Sequence, residues 1–144
     1  METIPILAPA AVLVLWSLIV LLWMTATRFP AFAKVGLTMS NAEPGSRYVD
    51  VEPMLPAKVN WKSHNYTHLM EQPTIFYAAV AVLALAGEGA GINATMAWAY
   101  VGIRVVHSIW QSTVNIISVR VALFTVSTLV LWGLAINAVR ATLF

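Results

Sequence analysis

Two ionisable residues, Glu71 and Arg104, stand inside apolar stretches of this chain, with the titratable His68 and His107 beside them. A charge placed in hydrocarbon costs about 2.5–3.5 kcal/mol even on the lenient insertion scale, so such groups pair, line a polar cavity or do chemistry. Their spacing groups them. His68 and Glu71 are related as i,i+3 and share one helix face, while Tyr100, Arg104, His107, Ser108 and Gln111 follow i, i+4, i+7, i+8 and i+11 on another. Glu71 and Arg104 lie at comparable depth, roughly 7–14 Å below one membrane surface at 1.5 Å per residue. Opposite charges at one depth on adjacent helices are expected to pair, within one subunit or across an interface, offsetting much of their desolvation. Pro73 removes a helix hydrogen bond and should free the carbonyl of Leu69 beside the acid. Acid, base, amide and hydroxyl at one level suit a pocket for a polar ligand. The plainer alternative is a structural ion pair that fixes helix register.

The elements that must carry these residues follow from hydropathy. Of 144 residues 60% are hydrophobic and only 10% charged, against about a quarter charged in soluble domains. A spanning helix needs about 20 mostly apolar residues. Four such segments appear, at about 4–26, 67–86, 92–113 and 120–140, and short connections make the last three antiparallel neighbours. Ala31-Phe32-Ala33 imitates a signal cleavage site. The stretch before Arg28 lacks basic residues, however, and the apolar run exceeds the usual 7–15 residues or so, so a retained helix is expected. The chain therefore reads as a single all-α domain over 1–144, an integral membrane four-helix bundle.

Residues 28–66 hold Pro30, Pro44, Pro53 and Pro56, the turn signal Glu43-Pro44-Gly45-Ser46, and most of the charges. This is a polar surface loop. It carries Arg28, Lys34, Arg47, Lys58 and Lys62, with Arg120 at the same membrane face, and the positive-inside rule makes it cytoplasmic and both termini external. The net charge of +2 is too small and dispersed for nucleic acid, and the absence of cysteine excludes disulfides, thiolate metal sites and a cysteine nucleophile. No metal site is read from the sequence. Four helices cannot hide two polar stripes from lipid, and the small residues Ala78, Ala79, Ala81, Ala84 and Ala86 permit close helix approach, so self-association is expected.

Two motifs carry a family resemblance. His68-Leu-Met-Glu71-Gln-Pro73-Thr-Ile-Phe76 resembles the helix-two motif of the MAPEG family, the membrane-associated proteins of eicosanoid and glutathione metabolism. Tyr100-Val-Gly-Ile-Arg104-Val-Val-His107 resembles its helix-three Arg-x-x-His motif, and Arg120 follows Arg104 at the 16-residue spacing of a second family arginine. The resemblance, nearest to the bacterial branch, implies a homotrimer in a bacterial inner (plasma) membrane, with glutathione as co-substrate bound between subunits. It implies a transferase or peroxidase acting on hydrophobic electrophiles or lipid hydroperoxides. His68, Glu71, Arg104, His107, Gln111 and Tyr100 would form the glutathione-binding shell, and Arg120 would stabilise the thiolate. His68 stands where the better-known enzymes have Asn, and Gln111 where the transferases have Tyr. The alternative is a non-catalytic member that binds membrane lipid or serves as an accessory subunit of a larger membrane complex.

Overall fold

A computed structural model describes residues 3–38 and 40–144. Four long helices and one short one account for the ordered elements: α1 (Leu7–Lys34), α2 (Tyr48–Val51), α3 (Ala57–Leu85), α4 (Gly91–Thr113) and α5 (Ile117–Leu143), with a single 3-10 turn at Glu52–Met54 after α2. Among the described residues there is no strand. The chain is an all-helical membrane bundle.

The helices overrun their sequence-based limits because apolar periodicity marks only the lipid-facing part of a helix. α1 continues through Arg28 and Pro30 to Lys34, and α3 starts ten residues earlier than the expected 67. At 1.5 Å per residue these helices are about 42 Å long, beyond the ~30 Å hydrocarbon core. The loop expected over 28–66 therefore shrinks to 35–56, and part of that is helical. It is tied down rather than free. The Tyr48 hydroxyl donates to Asn60 Oδ1 at 2.6 Å, and Asn60 Nδ2 donates to the Glu52 carbonyl at 3.0 Å.

Three helices, α1, α3 and α5, are both long and apolar enough to cross a membrane. The sequence reading expected four. α4 has 23 residues, enough length, but a different composition, because it carries Asn93, Arg104, His107, Ser108, Gln111 and Ser112, all buried within the bundle. Its polarity faces protein.

α4 packs most extensively on α5, and α1 on α3. The core between them contains Leu13, Val20, Leu69, Phe76, Leu83, Tyr100 and Leu134, all at most 1% exposed. Outward positions such as Leu15, Leu22, Leu129 and Trp132 remain largely exposed, as a lipid-facing surface requires. The α3–α4 turn is tight: Gly87 and Gly91 take φ of +79° and +57°, and the Gly89 carbonyl accepts from the Ile6 backbone N–H at 2.9 Å, fastening the start of α1 to this end.

Phe76 and Tyr100 join α3 to α4 as a stacked pair, with ring centroids 4.4 Å apart and planes 18° apart. Phe76 is fully buried. Phe76→Ala is expected to lower stability by about 3–5 kcal/mol, because the rigid helices around it cannot collapse into the space. Thermal unfolding in detergent checks this, and a loss below that of an ordinary surface substitution would show the stack to be dispensable.

Candidate functional site

α3 presents its inner face through Asn65, Leu69, Pro73, Phe76, Val80 and Leu83, a stride of three and four. α4 answers with Tyr100, Arg104, His107, Ser108 and Gln111, all at most 2% exposed. The structure brings these five residues onto one buried face.

Arg104 is at its centre, with no exposed surface. Its Nη2 donates to the backbone carbonyl of His68 at 2.8 Å, and its guanidinium carbon lies 5.8 Å from the Phe124 ring centre. The accepting carbonyl is one residue before the expected Leu69. Nε and Nη1 of Arg104 are buried with no hydrogen-bond partner among the described residues.

The expected Glu71–Arg104 ion pair does not form within the chain. Glu71 stands two residues from Leu69, about 200° around the helix from the buried stripe, so its side chain points away from α4. That side chain is 60% exposed and its Oε2 lies 3.1 Å from Nδ1 of His68. His68 is the hinge between the two groups: its backbone serves Arg104 and its ring serves Glu71. The His68 ring also meets that of His107 edge-on, at 6.3 Å between centroids. His107 in turn lies 6.4 Å from Phe124 on α5.

Tyr100 donates its hydroxyl to Gln72 Oε1 at 3.2 Å, and Gln72 Nε2 donates to Thr128 on α5 at 2.8 Å. Gln111 is buried with an unpartnered Oε1. Arg120, in the first turn of α5, is half-buried and donates from Nη1 to Asn115 Oδ1 at 2.8 Å. Asn115 sits in the α4–α5 turn at φ +56°, where asparagine is tolerated better than most residues. Arg120 lies within Coulombic reach of both His68 and His107.

One cluster had no counterpart in the sequence reading. Asn65, fully buried, donates from Nδ2 to the hydroxyls of Ser108 (2.7 Å) and Ser112 (3.0 Å), and Trp16 Nε1 donates to Ser108 at 3.0 Å. The signal existed in part. Ser112 extends the α4 stripe by one turn from Ser108, and Asn65 heads the α3 stripe four residues before Leu69. Trp16 on α1 carried no such mark, since its partner lies 92 residues away.

These features define an integral membrane helical protein whose helices α3, α4 and α5 enclose a seam of cationic, amide and imidazole groups. The chain belongs to the MAPEG family, whose family model matches residues 6–140. No curated protein and no solved structure matches it.

Ser108 is the acceptor for two donors in this seam. Ser108→Ala should cost about 1–3 kcal/mol, because the Trp16 indole and one Asn65 contact lose their partner in a dry interior. Combining it with Trp16→Phe should cost less than the sum of the single losses, measured by a double-mutant cycle of unfolding; strict additivity would show that the two groups do not interact.

Proposed function

We propose that the protein is a glutathione-dependent transferase or peroxidase acting on hydrophobic electrophiles or lipid hydroperoxides at the membrane. Membership of the MAPEG family supports a role in that branch of metabolism. The observation that carries the proposal is Arg104: a wholly buried guanidinium with two unpartnered nitrogens, Nε and Nη1, and no carboxylate within ion-pair distance among the described residues. A buried cation left this way suits an anionic ligand, and a peptide with free carboxylates provides one.

In this reading Arg104, His68, His107, Gln111 and Tyr100 shape the peptide site, and Glu71 holds an ammonium group. Arg120 acts on the sulfur. A thiol with a pKa of about 8.5 is only slightly ionised at neutral pH, and a fixed cation nearby favours the thiolate, which is the nucleophile. The thiolate attacks the electrophilic carbon and expels its leaving group, or attacks the terminal peroxide oxygen and breaks the O–O bond, giving the sulfenic acid of glutathione and an alkoxide that takes a proton as alcohol. A second glutathione then condenses with the sulfenic acid to disulfide and water. Arg120 stands in the first turn of α5, and in this reading a water-soluble peptide and a lipid-borne substrate meet there.

Glu71 supports assembly into a homotrimer. Its carboxylate stands on the outer face of α3 beside the exposed Met70 and Ile75, where lipid would be a poor neighbour and a second subunit a better one. α4 is then the fourth span, shielded by protein. The long loop faces the cytoplasm and the membrane is the bacterial inner membrane. A non-catalytic reading, a lipid-binding or accessory subunit of a larger complex, is favoured by one observation: the buried Gln111, which stands where the transferases have Tyr, offers no phenol.

Calorimetric titration with glutathione separates the two readings, since only the first expects binding. Arg120→Met should abolish the thiolate absorbance of bound glutathione while leaving its binding largely intact. Full activity of that variant against a hydrophobic electrophile would reduce Arg120 to an interfacial anchor. Native mass spectrometry in mild detergent should show three copies; monomers alone would overturn the assembly.

A further inference from the structure

Away from the seam, the end of α1 and the segment that follows it enclose a second cavity of about 330 Å³. Its walls are of two kinds. Phe29, Phe32, Leu37 and Val51 are apolar, whereas Arg28, Arg47 and Tyr48 bring polar groups to the same space. None of the residues assigned to the glutathione site lines it.

Among the described residues, the positive charge at the polar end is in no salt bridge. Arg28 donates to the Ser63 hydroxyl and lies 3.2 Å from the Met24 sulfur, and its guanidinium covers the Tyr48 ring at 3.8 Å. All three partners are neutral. Burial raises the pKa of Tyr48 above its ordinary value against the pull of Arg28, so the phenol stays protonated and supplies no negative charge. Arg28 Nε is buried and has no hydrogen-bond partner among the described residues. Asp50, the acid closest in sequence, accepts the backbone N–H of Arg47 at 2.7 Å and so caps α2. Among the described residues no carboxylate lies within ion-pair distance of either arginine.

An anion would complete the polar end, yet a small hydrated anion would leave the phenylalanine walls unused. A wholly apolar ligand would waste the arginines. The position narrows the class further: α1 is free of charge from Leu7 to Thr27, so Arg28 marks where the helix leaves the hydrocarbon. A ligand could therefore enter from the leaflet with its head at the surface. Volume limits the tail, because 330 Å³ is at the small end of the roughly 300–1,000 Å³ of ligand pockets. One chain fits better than two.

We propose that the cavity between the end of α1 and residues 37–51 binds a single-chain anionic amphiphile, its carboxylate or phosphate held by Arg28 and Arg47 and its chain laid against Phe29 and Phe32. The site is independent of the glutathione reading and stands whether or not that reading holds. It would give a surface loop of an integral protein the means to respond to fatty acids or lysophospholipids in the leaflet.

The test uses the full chain in phosphatidylcholine nanodiscs with a diazirine-bearing stearate as photoreactive probe and peptide mapping of the label. Labelling is expected within residues 28–51, and both oleate and lysophosphatidate should compete; which of them competes at lower concentration identifies the preferred head group. Oleyl alcohol and inorganic phosphate, each carrying half of the required chemistry, should compete poorly. Arg28→Gln should cut labelling by about ten-fold, the loss expected for one charge-assisted hydrogen bond. Because Arg28 also braces Ser63 and Tyr48, Arg47→Gln at an exposed position provides the second variant and should weaken labelling with no change in unfolding temperature. Label spread evenly over the lipid-facing helices would overturn the proposal. So would competition by oleyl alcohol or by phosphate equal to that of oleate, or full labelling of a folded Arg47→Gln protein.

Discussion

Arg104 is the group on which the packing of this bundle turns. Removing a guanidinium from water costs several kcal/mol even after relaxation, and the cost is tolerable only where fixed dipoles and other groups are held against it. Here they come from three directions. The His68 carbonyl belongs to α3, the ring of Phe124 to α5, and the flanking Tyr100 and His107 to α4 itself. Each contact demands that its helix approach at one register. Small outward slips of α3 or α5 would expose the charge to lipid or leave it without its remaining partner. The stacked Phe76–Tyr100 pair one turn away and the Gln72–Thr128 bond hold that register against such slips.

Polar contacts between helices recur at both ends of the bundle, which is what a medium without a hydrophobic drive to helix association would select. At the loop end Asn65, Ser108, Ser112 and Trp16 link α1, α3 and α4. At the other end Asn137 Nδ2 donates to Asn93 Oδ1 at 2.7 Å, while Asn93 Nδ2 donates to the Glu88 carbonyl at 2.9 Å. Between them the contact is steric: Gly133 of α5 leaves room for the terminal methyl of Met96, and a side chain there would collide with it. α4 is thus fixed to α1 and α3 near its loop end and to α5 near the other, within its extensive packing on α5.

Much of this was legible before the structure. Apolar run lengths located the helices, the glycines Gly87, Gly89 and Gly91 located the turn, and helical spacing put Tyr100 through Gln111 on one face. What escaped was set by rotation about the helix axis and by distance along the chain. Glu71 and Arg104 match in depth, but depth does not fix azimuth, and the α3 stripe through Leu69 and Pro73 turns Glu71 outward. The first turns of α3 resemble loop in the sequence, since Pro53 and Pro56 precede them and Lys58, Lys62 and the buried Asn60, Ser63 and Asn65 interrupt any apolar stripe. Trp16 could not be assigned to the seam because nothing local to α1 specifies a partner on α4.

The separation of Glu71 from Arg104 has a physical consequence for the whole protein. Within one chain the acid has only the His68 ring beside it, and the base has only carbonyl and aromatic partners. Both groups are therefore short of what an ionised side chain needs in an apolar layer, and they are short in complementary ways. Local rearrangement does not remedy this, since turning α3 to bring Glu71 inward would drive Leu69 and Phe76 out of the core. In the proposed trimer with bound peptide the deficit is met from outside the chain. A neighbouring subunit against the outer face of α3 could satisfy the acid, and an anionic ligand reaching the seam could satisfy the base. His68 touches both groups, its backbone carbonyl meeting Arg104 and its ring meeting Glu71, so the acid and the base are held by one residue.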